Sequence, residues 1–170
     1  MMAIVMGVCG CGKTTVGRAL ARELGCEFLD ADDFHPEANV AKMARGVALT
    51  DDDRWPWLDA IVAAMRERAA RGSGAVIACS ALKQAYRDRL RRGGSAGDEV
   101  RIVYLKGDAA TIAPRLASRS DHFMPASLLE SQFAALEEPR DAIAVDIRQP
   151  TAEQVRQAAA ALRSTSDSAA

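Results

Sequence analysis

The residues best suited to chemistry lie near the amino terminus, in the stretch GVCGCGKTT at positions 7–15. This stretch follows a short apolar run and precedes a helical pattern, and it matches G-x-x-x-x-G-K-[ST], the motif of a phosphate-binding loop. Glycines there let backbone N–H groups point at phosphate oxygens, while the lysine adds positive charge and the hydroxyl can bind Mg²⁺. The residues expected to bind a nucleotide are Gly7, Gly10, Gly12, Lys13, Thr14 and Thr15. Lys13 is also a predicted catalytic residue, and Thr14 a predicted metal ligand.

Two cysteines inside this loop, Cys9 and Cys11, offer a competing interpretation, because they lie one residue apart like a metal or redox pair. Neither occupies a position that the phosphate loop requires. A thiol at the amino end of a helix and close to Lys13 is expected to have a lowered pKa. We therefore expect the loop to be sensitive to oxidants or alkylating agents.

A second group of candidate residues follows the next apolar run, in the stretch FLDADDFHP. Asp30 and Asp32 lie two residues apart at the carboxyl end of a predicted strand, where ligands bind in open α/β sheets. The period-two spacing of a strand would direct both side chains to one side, so that Asp30 can hold Mg²⁺ while Asp32 accepts a hydroxyl proton. His35 either contacts a sugar oxygen or shapes the turn before Pro36.

The pattern around these residues predicts the fold that must position them. Five short apolar segments indicate buried strands, at 3–8, 26–30, 75–80, 101–107 and 142–147. Five helical patterns alternate with them, at 13–24, 37–45, 56–71, 83–92 and 108–118. Such alternation is typical of a parallel sheet covered on both faces. We expect a three-layer α/β/α fold with a five-stranded parallel sheet, as one domain over 1–163 with a disordered tail at 164–170.

Composition restricts the partners. The chain has 170 residues and a net charge of −1, from 22 Lys and Arg against 23 Asp and Glu. This balance excludes the extended positive field of a nucleic-acid-binding protein. The amino terminus has no basic leader, and no apolar run approaches the ~20 residues that cross a membrane. We expect a cytoplasmic protein with reduced thiols, a small-molecule substrate, and neither nucleic acid nor membrane as partner.

The chain also lacks the N-K-x-D and D-x-x-G motifs of a regulatory GTPase. Transfer of a phosphoryl group to a small acceptor is then the best interpretation of the loop. Further motifs resemble those of the bacterial gluconokinases of the compact, phosphate-loop type, from about residue 3 to 150. The stretches that carry this resemblance are MGVCGCGKTT, FLDADDFHPEANVAKMARGVALTDDDRWPWL, CSALKQAYRDRLR, VYLKGD, RLASRSDHFMPASLLESQFAALEEP and VDIRQP.

The resemblance implies ATP-dependent phosphorylation of D-gluconate to 6-phospho-D-gluconate, with ATP and Mg²⁺ as cofactors. It also implies a nucleoside-monophosphate-kinase-like fold, with a substrate-binding helical segment and a lid at about 119–131. Because members of the family are often dimers, a homodimer is compatible with it. Asp32 would be the general base or would orient the 6-hydroxyl of the substrate, and Asp30 would lie on the Mg²⁺ side.

The remaining site residues follow from the same resemblance. Gluconate carries one carboxylate and several hydroxyls, so its site needs cationic donors beside neutral or acidic partners. The residues expected to bind it are Asp32, His35, Arg54, Lys83 and Arg87. Lys83 and Arg87 lie four apart on one predicted helix face, although a solvated basic face is the alternative. Arg54 could instead pair with the aspartates before it.

The lid supplies two predicted arginines. Arg115 would bind the nucleotide, and Arg119 would neutralise charge on the transferring phosphoryl group. The alternative is a pair of arginines that only complements a helix carboxyl terminus. Pro150 follows the last predicted strand, where related kinases hold adenine. Three other functions stay open: another small-molecule kinase, such as a shikimate or adenylylsulfate kinase, a nucleotide-binding module without transfer activity, and a thiol or metal protein built on the cysteine pair.

Overall fold

The computed structural model describes residues 1–94, 99–117 and 126–166. Within these ranges, five parallel strands form one sheet in the order β2-β3-β1-β4-β5. The strands are β1 (Met2–Met6), β2 (Glu27–Asp30), β3 (Ala75–Ala78), β4 (Val100–Lys106) and β5 (Ile143–Asp146). Because all five run in one direction, their carboxyl ends meet at one edge of the sheet, where the following loops can form a shared site. The predicted five-stranded parallel sheet is confirmed.

Helices cover both faces of this sheet. They are α1 (Lys13–Leu24), α2 (Glu37–Ala44), α3 (Asp51–Ala70), α4 (Gln84–Arg91), α5 (Ala109–Ala117), α6 (Ala126–Ala135) and α7 (Thr151–Ser166). Leu20 of α1 and Leu162 of α7 pack on one face. Leu58 of α3 and Leu90 of α4 pack on the other. Every residue of β1 and β3 is buried, as expected for strands covered on both sides. No helix in the described ranges is long and apolar enough to span a membrane.

Helix α3 begins earlier than predicted. The expected start at Pro56 is wrong, because Thr50 and Asp53 form a capping box that starts the helix at Asp51. Pro56 lies inside the helix, where it removes the N–H that would bond the carbonyl of Asp52, an exposed residue. The buried face was predicted correctly and consists of Trp57, Leu58, Ile61, Val62 and Met65.

The sequence analysis missed three elements: α6, α7 and a 3-10 helix at Ala31–Phe34. The buried face of α7 includes Ala158 and Ala159, and small residues of this kind give little apolar contrast. This helix ends at Ser166, three residues past the predicted domain boundary at 163, and the disordered tail stays a prediction. Of the predicted lid, residues 126–131 belong to α6, and residues 119–125 lie outside the described ranges.

Candidate active site

The phosphate loop connects the central strand β1 to α1. Gly12 is the N-cap of α1 at a φ of 101°, and in this described part of the chain no side chain caps the first turn. The backbone N–H groups at the helix start are therefore available to an anion. At Gly7, a Cβ atom would lie 2.8 Å from Sγ of Cys11 and 3.0 Å from the carbonyl oxygen of Leu105, so only glycine fits. This geometry suits a triphosphate.

The side chains that flank the loop lie at its mouth. Nζ of Lys13 donates to the carbonyl oxygen of Val8 at 3.1 Å, which folds the lysine over the loop. Thr14 and Thr15 are exposed on the first turn of α1. Gly10 packs toward α5, because a Cβ atom there would meet the side chain of Leu116 at 2.7 Å.

Asp30 joins the end of β2 to the phosphate loop. Its Oδ2 accepts from the hydroxyl of Thr14 at 3.2 Å, and its Oδ1 accepts from the backbone N–H of Asp32 at 3.3 Å. The structure brings Asp30 and Asp32 together for a different reason from the predicted one. Because β2 ends at Asp30 and a 3-10 helix follows, the turn holds Asp32 near Asp30 and the alternation of a strand plays no part.

The oxygens of Thr14 and Asp30 are the hard ligands that Mg²⁺ prefers. In the described ranges, no group of three or more His, Cys, Asp and Glu side chains could hold a metal ion alone. These two oxygens therefore fit an ion that takes its remaining ligands from phosphate and water, as Mg²⁺ does in nucleotide sites.

Asp32 stands in the cleft with its side chain 88% exposed. Its pKa is raised, first because the surrounding protein withdraws the carboxyl partly from bulk water and then because the Asp30 carboxylate is close. A carboxyl in this setting is accessible to a substrate and more basic than an ordinary aspartate, which suits a proton acceptor.

His35 is largely buried beside the cleft. Its ring stacks on Trp57 with a centroid distance of 4.4 Å, and Nε2 lies 4.0 Å from Oδ1 of Asp32. The pKa of His35 is lowered, mainly because the ring is withdrawn from water. The indole N–H of Trp57 donates to the carbonyl oxygen of Ala31 at 2.6 Å. His35 thus shapes the turn that holds Asp32, and its contact with a sugar oxygen stays a prediction.

Asn39 is a buried polar residue that the sequence analysis did not single out. Its Nδ2 donates to the carbonyl oxygen of Asp53 at 2.8 Å and lies 3.4 Å from Nδ1 of His35. The Asp53 carboxylate also accepts a hydrogen bond from Lys42 at 2.6 Å. The pKa of Asp53 is lowered to about 2, mainly by this hydrogen bond and then by those from Thr50. These contacts tie α2 to the start of α3. The spacing of Asn39, four residues after His35, was the available signal.

Two predicted substrate residues, Arg54 and Lys83, meet at Asp51. Nζ of Lys83 donates to both carboxylate oxygens at 2.9 and 2.7 Å, and Nη1 of Arg54 lies 3.7 Å from Oδ1. The hydroxyl of Tyr86 also donates to Asp51. The hydrogen bond from Lys83 is the main reason that the pKa of the Asp51 carboxyl is lowered, and the hydrogen bond from Tyr86 is the next. Arg54 thus lies beside one of the three aspartates before it, as the alternative interpretation of this residue expected, whereas Tyr86 was missed.

Arg87 is buried rather than exposed beside Lys83, and its contact with substrate stays a prediction. Its side chain has 0% exposure, and burial lowers its pKa. The guanidinium donates to the carbonyl oxygens of Ala81, Leu82 and Glu137 and to Oε1 of Gln84, at 2.7–3.2 Å. Lys83 is the N-cap residue of α4, so the two do not share an exposed helix face. Arg87 therefore has a structural role.

Two residues predicted to bind the nucleotide, Arg115 and Pro150, lie around the loop after β5. Nη2 of Arg115 donates to the carbonyl oxygen of Ile147 at 2.8 Å, three residues before Pro150. Pro150 is exposed directly before α7. Arg119 lies outside the described ranges, so its predicted role stays a prediction. A groove of about 540 Å³ beside the ends of β4 and β5 is lined by Lys106, Asp108, Asp146 and Arg148 among others, but by neither Arg115 nor Pro150.

The cysteines of the loop differ in exposure. Cys11 is 1% exposed, and burial raises its pKa despite the charge of Lys13, so the predicted lowering is wrong for this thiol. Cys9 is half-buried, and Cys26 and Cys79 are free cysteines like the pair in the loop. Burial raises the pKa of Cys79 to about 12. At Cys11, burial therefore raises the pKa by more than the helix terminus and Lys13 lower it.

A phosphate loop after the central strand of a parallel sheet, with carboxylates at the end of β2, defines a P-loop kinase.

Residues 2–139 match the family described as AAA domain. The thermosensitive gluconokinase of Escherichia coli is 43% identical over 167 residues, covering 94% of this chain and 88% of its own length. The gluconokinase of Gluconobacter oxydans is 51% identical over 140 residues, covering 81% of this chain and 76% of its own. A crystal structure of a gluconokinase from Sinorhizobium meliloti is 45% identical and superposes with a TM-score of 0.85, over 98% of this chain and 94% of that one. The chain belongs to the gluconokinase family.

Proposed function

We propose that this protein transfers the γ-phosphoryl group of ATP to the 6-hydroxyl of D-gluconate. The observation that carries the proposal is the Thr14–Asp30 contact, which joins the phosphate loop to the turn that holds Asp32. A nucleotide phosphate in the loop would thus lie beside a basic carboxylate. Membership of the gluconokinase family supplies the identity of the acceptor.

The reaction balances with this chain's own residues. The 6-hydroxyl oxygen forms a bond to the γ-phosphorus, its proton passes to the Asp32 carboxylate, and the bond from phosphorus to the bridging oxygen breaks to release ADP. Lys13 and the loop N–H groups hold the phosphates and balance their charge. Thr14 and Asp30 would hold Mg²⁺, which supplies further neutralisation of the transferring group when bound.

The acceptor site combines charge with hydrogen-bonding groups. Arg54 and Lys83 carry the positive charge that a sugar acid needs, and Asp51 holds both in one place. His35 stands beside Asp32 and can contact a hydroxyl. We propose that the carboxylate of gluconate binds Arg54 and Lys83, and that Arg115, Arg119 and Pro150 act on the nucleotide side.

A coupled assay of ADP release tests the function. We expect ADP formation that depends on D-gluconate and Mg²⁺, with little release when shikimate, adenylylsulfate or no acceptor is supplied. Turnover with shikimate or adenylylsulfate alone would identify another small-molecule kinase. Binding of ATP without any acceptor-dependent release would identify a nucleotide-binding module. A cytoplasmic location and a homodimer stay predictions, and light scattering of the purified protein would test the dimer.

A further inference from the structure

Gln132, on α6, contacts the phosphate loop directly. Its Oε1 accepts a hydrogen bond from the backbone N–H of Cys9 at 2.6 Å. Because a backbone N–H can only donate, the carboxamide oxygen is the atom that faces the loop. The contact joins residues that are 123 positions apart. It fixes the direction of the peptide between Val8 and Cys9, inside the phosphate loop.

The segment that follows Gln132 reaches the other side of the cleft. Glu137 contacts the loop at 79–83, which we call the acceptor loop. Its backbone N–H donates to Leu82 at 3.0 Å, its Oε2 accepts from the backbone N–H of Gln84 at 2.5 Å, and its carbonyl oxygen accepts from Arg87 at 2.8 Å. Residues 132–137 thus contact the phosphate loop at one end and the acceptor loop at the other.

The acceptor loop is itself under strain. Ala81 has a φ of 45°, in the left-handed region that favours glycine. Arg87 donates to the carbonyl oxygens of Ala81 and Leu82, both at 2.9 Å, which holds this conformation. Because the backbone N–H of Glu137 donates to the carbonyl oxygen of Leu82, a change in the conformation of this loop would move Glu137 as well.

We propose that Gln132 is a positioning residue of the phosphate loop, and that residues 132–137 couple the nucleotide site to the acceptor site. Occupation of the acceptor loop fixes Glu137, Glu137 fixes the end of α6, and Gln132 then fixes the Cys9 peptide. Coupling of this kind is reciprocal, so each substrate raises the affinity for the other by the same factor. The coupling rests on the proposed function, because gluconate is the acceptor.

The positioning role is tested without any acceptor. Hydrogen exchange of the backbone amides at 8–10 is measured in the nucleotide-free protein and in Gln132→Met, Gln132→Glu and Glu130→Gln. Faster exchange is expected in Gln132→Met, which has no carboxamide oxygen, and parental exchange in Gln132→Glu, which keeps an acceptor. Glu130, exposed on the same helix, provides the control. Unchanged exchange in Gln132→Met overturns the proposal.

The coupling is tested by calorimetry of gluconate binding, with and without Mg²⁺ and a non-hydrolysable ATP analogue. We expect the analogue to tighten gluconate binding by about 5-fold or more in the parent, and by a factor near one in Gln132→Met. Gluconate binding alone is expected to be unchanged, and Gln132→Glu should retain the coupling. A parental factor of one, or an unchanged factor in Gln132→Met, overturns the coupling.

Failure of a variant to fold and failure of the proposed function can both be distinguished from failure of the proposed role of Gln132. If circular dichroism shows that Gln132→Met does not fold, Gln132→Asn replaces it, because the shorter side chain withdraws the same carboxamide from Cys9. If the parent gives no ADP release with gluconate, the proposed function fails, whereas the exchange measurement still decides the role of Gln132.

Discussion

The hydroxyl of Thr14 and the Oδ2 atom of Asp30 lie 3.2 Å apart, which connects the first turn of α1 to the end of β2. The other oxygen of the same carboxylate accepts from the backbone of Asp32. The Asp30 side chain therefore contacts both the hydroxyl proposed to bind Mg²⁺ and the backbone of the proposed base. A displacement of Asp30 is therefore expected to affect both the binding of Mg²⁺ and the transfer of the proton.

Replacement of the Thr14 hydroxyl should raise the requirement for Mg²⁺. In Thr14→Val we expect the Mg²⁺ concentration for half-maximal rate to rise by about 10-fold or more, because a metal ligand and an orienting hydrogen bond are lost together. Thr14→Ser keeps the hydroxyl and should behave like the parent. The initial rate is measured against Mg²⁺ at fixed ATP and gluconate. An identical Mg²⁺ dependence in Thr14→Val would remove this residue from the metal site.

Asp32→Asn should lower kcat by about 100-fold or more, the usual scale for loss of a positioned general base. Binding of the ATP analogue, measured by calorimetry, should be unchanged. Asp33→Asn is the matched control, since Asp33 is the exposed neighbour in the same 3-10 helix. A full rate in Asp32→Asn would show that another group takes the proton.

The pH dependence of the rate follows from the environment of Asp32. Partial withdrawal from water and then the Asp30 carboxylate raise its pKa. A base acts only when ionised, so kcat/KM should fall as the pH drops through this raised pKa. The acid limb is therefore expected above the value of about 3.9 for a free aspartate. In Asp32→Asn the limb should vanish from the residual rate, and persistence of the same limb would assign it to another residue.

Arg87→Met should destabilise the fold, because the carbonyl oxygen of Ala81 loses its guanidinium donor and that of Leu82 keeps only the backbone N–H of Glu137. We expect the free energy of unfolding to fall by about 3 kcal/mol. Arg91→Met, on the same helix, removes only ion pairs with exposed Asp88 and Asp141 and should cost about 0–1 kcal/mol. Urea denaturation compares the two. Parental stability in Arg87→Met, together with a raised KM for gluconate, would support its predicted contact with substrate.

Alkylation should reach Cys9 before Cys11. Cys11 is 1% exposed and its pKa is raised by burial, whereas Cys9 is half-buried at the surface of the loop. Peptide mass spectrometry after brief iodoacetamide treatment is expected to find the label at Cys9, with less label when ATP is bound. Cys9→Ser should then resist inactivation. Faster labelling of Cys11 would mean that the loop opens widely in solution.

The parts that sequence predicted are local. The phosphate loop is a motif of adjacent residues, and the buried face of α3 follows a helical period. The contacts of Lys83 with Asp51 and of Gln132 with Cys9 span 32 and 123 positions, so no local pattern reports them. The burial of Arg87 was also out of reach, because a charged residue is normally exposed unless the fold supplies partners.

The position of the phosphate loop on the middle strand of the sheet has an evolutionary consequence. In the order β2-β3-β1-β4-β5, the segments that carry Asp32, Arg54 and Lys83 follow strands on one side of β1, and the segments that carry Arg115 and Pro150 follow strands on the other. On the roles proposed for these residues, substitutions after β2 and β3 can change which hydroxyl compound is accepted, while the segments after β4 and β5 continue to bind the nucleotide. We expect acceptor preference in such chains to diverge by drift and selection on one flank of the molecule.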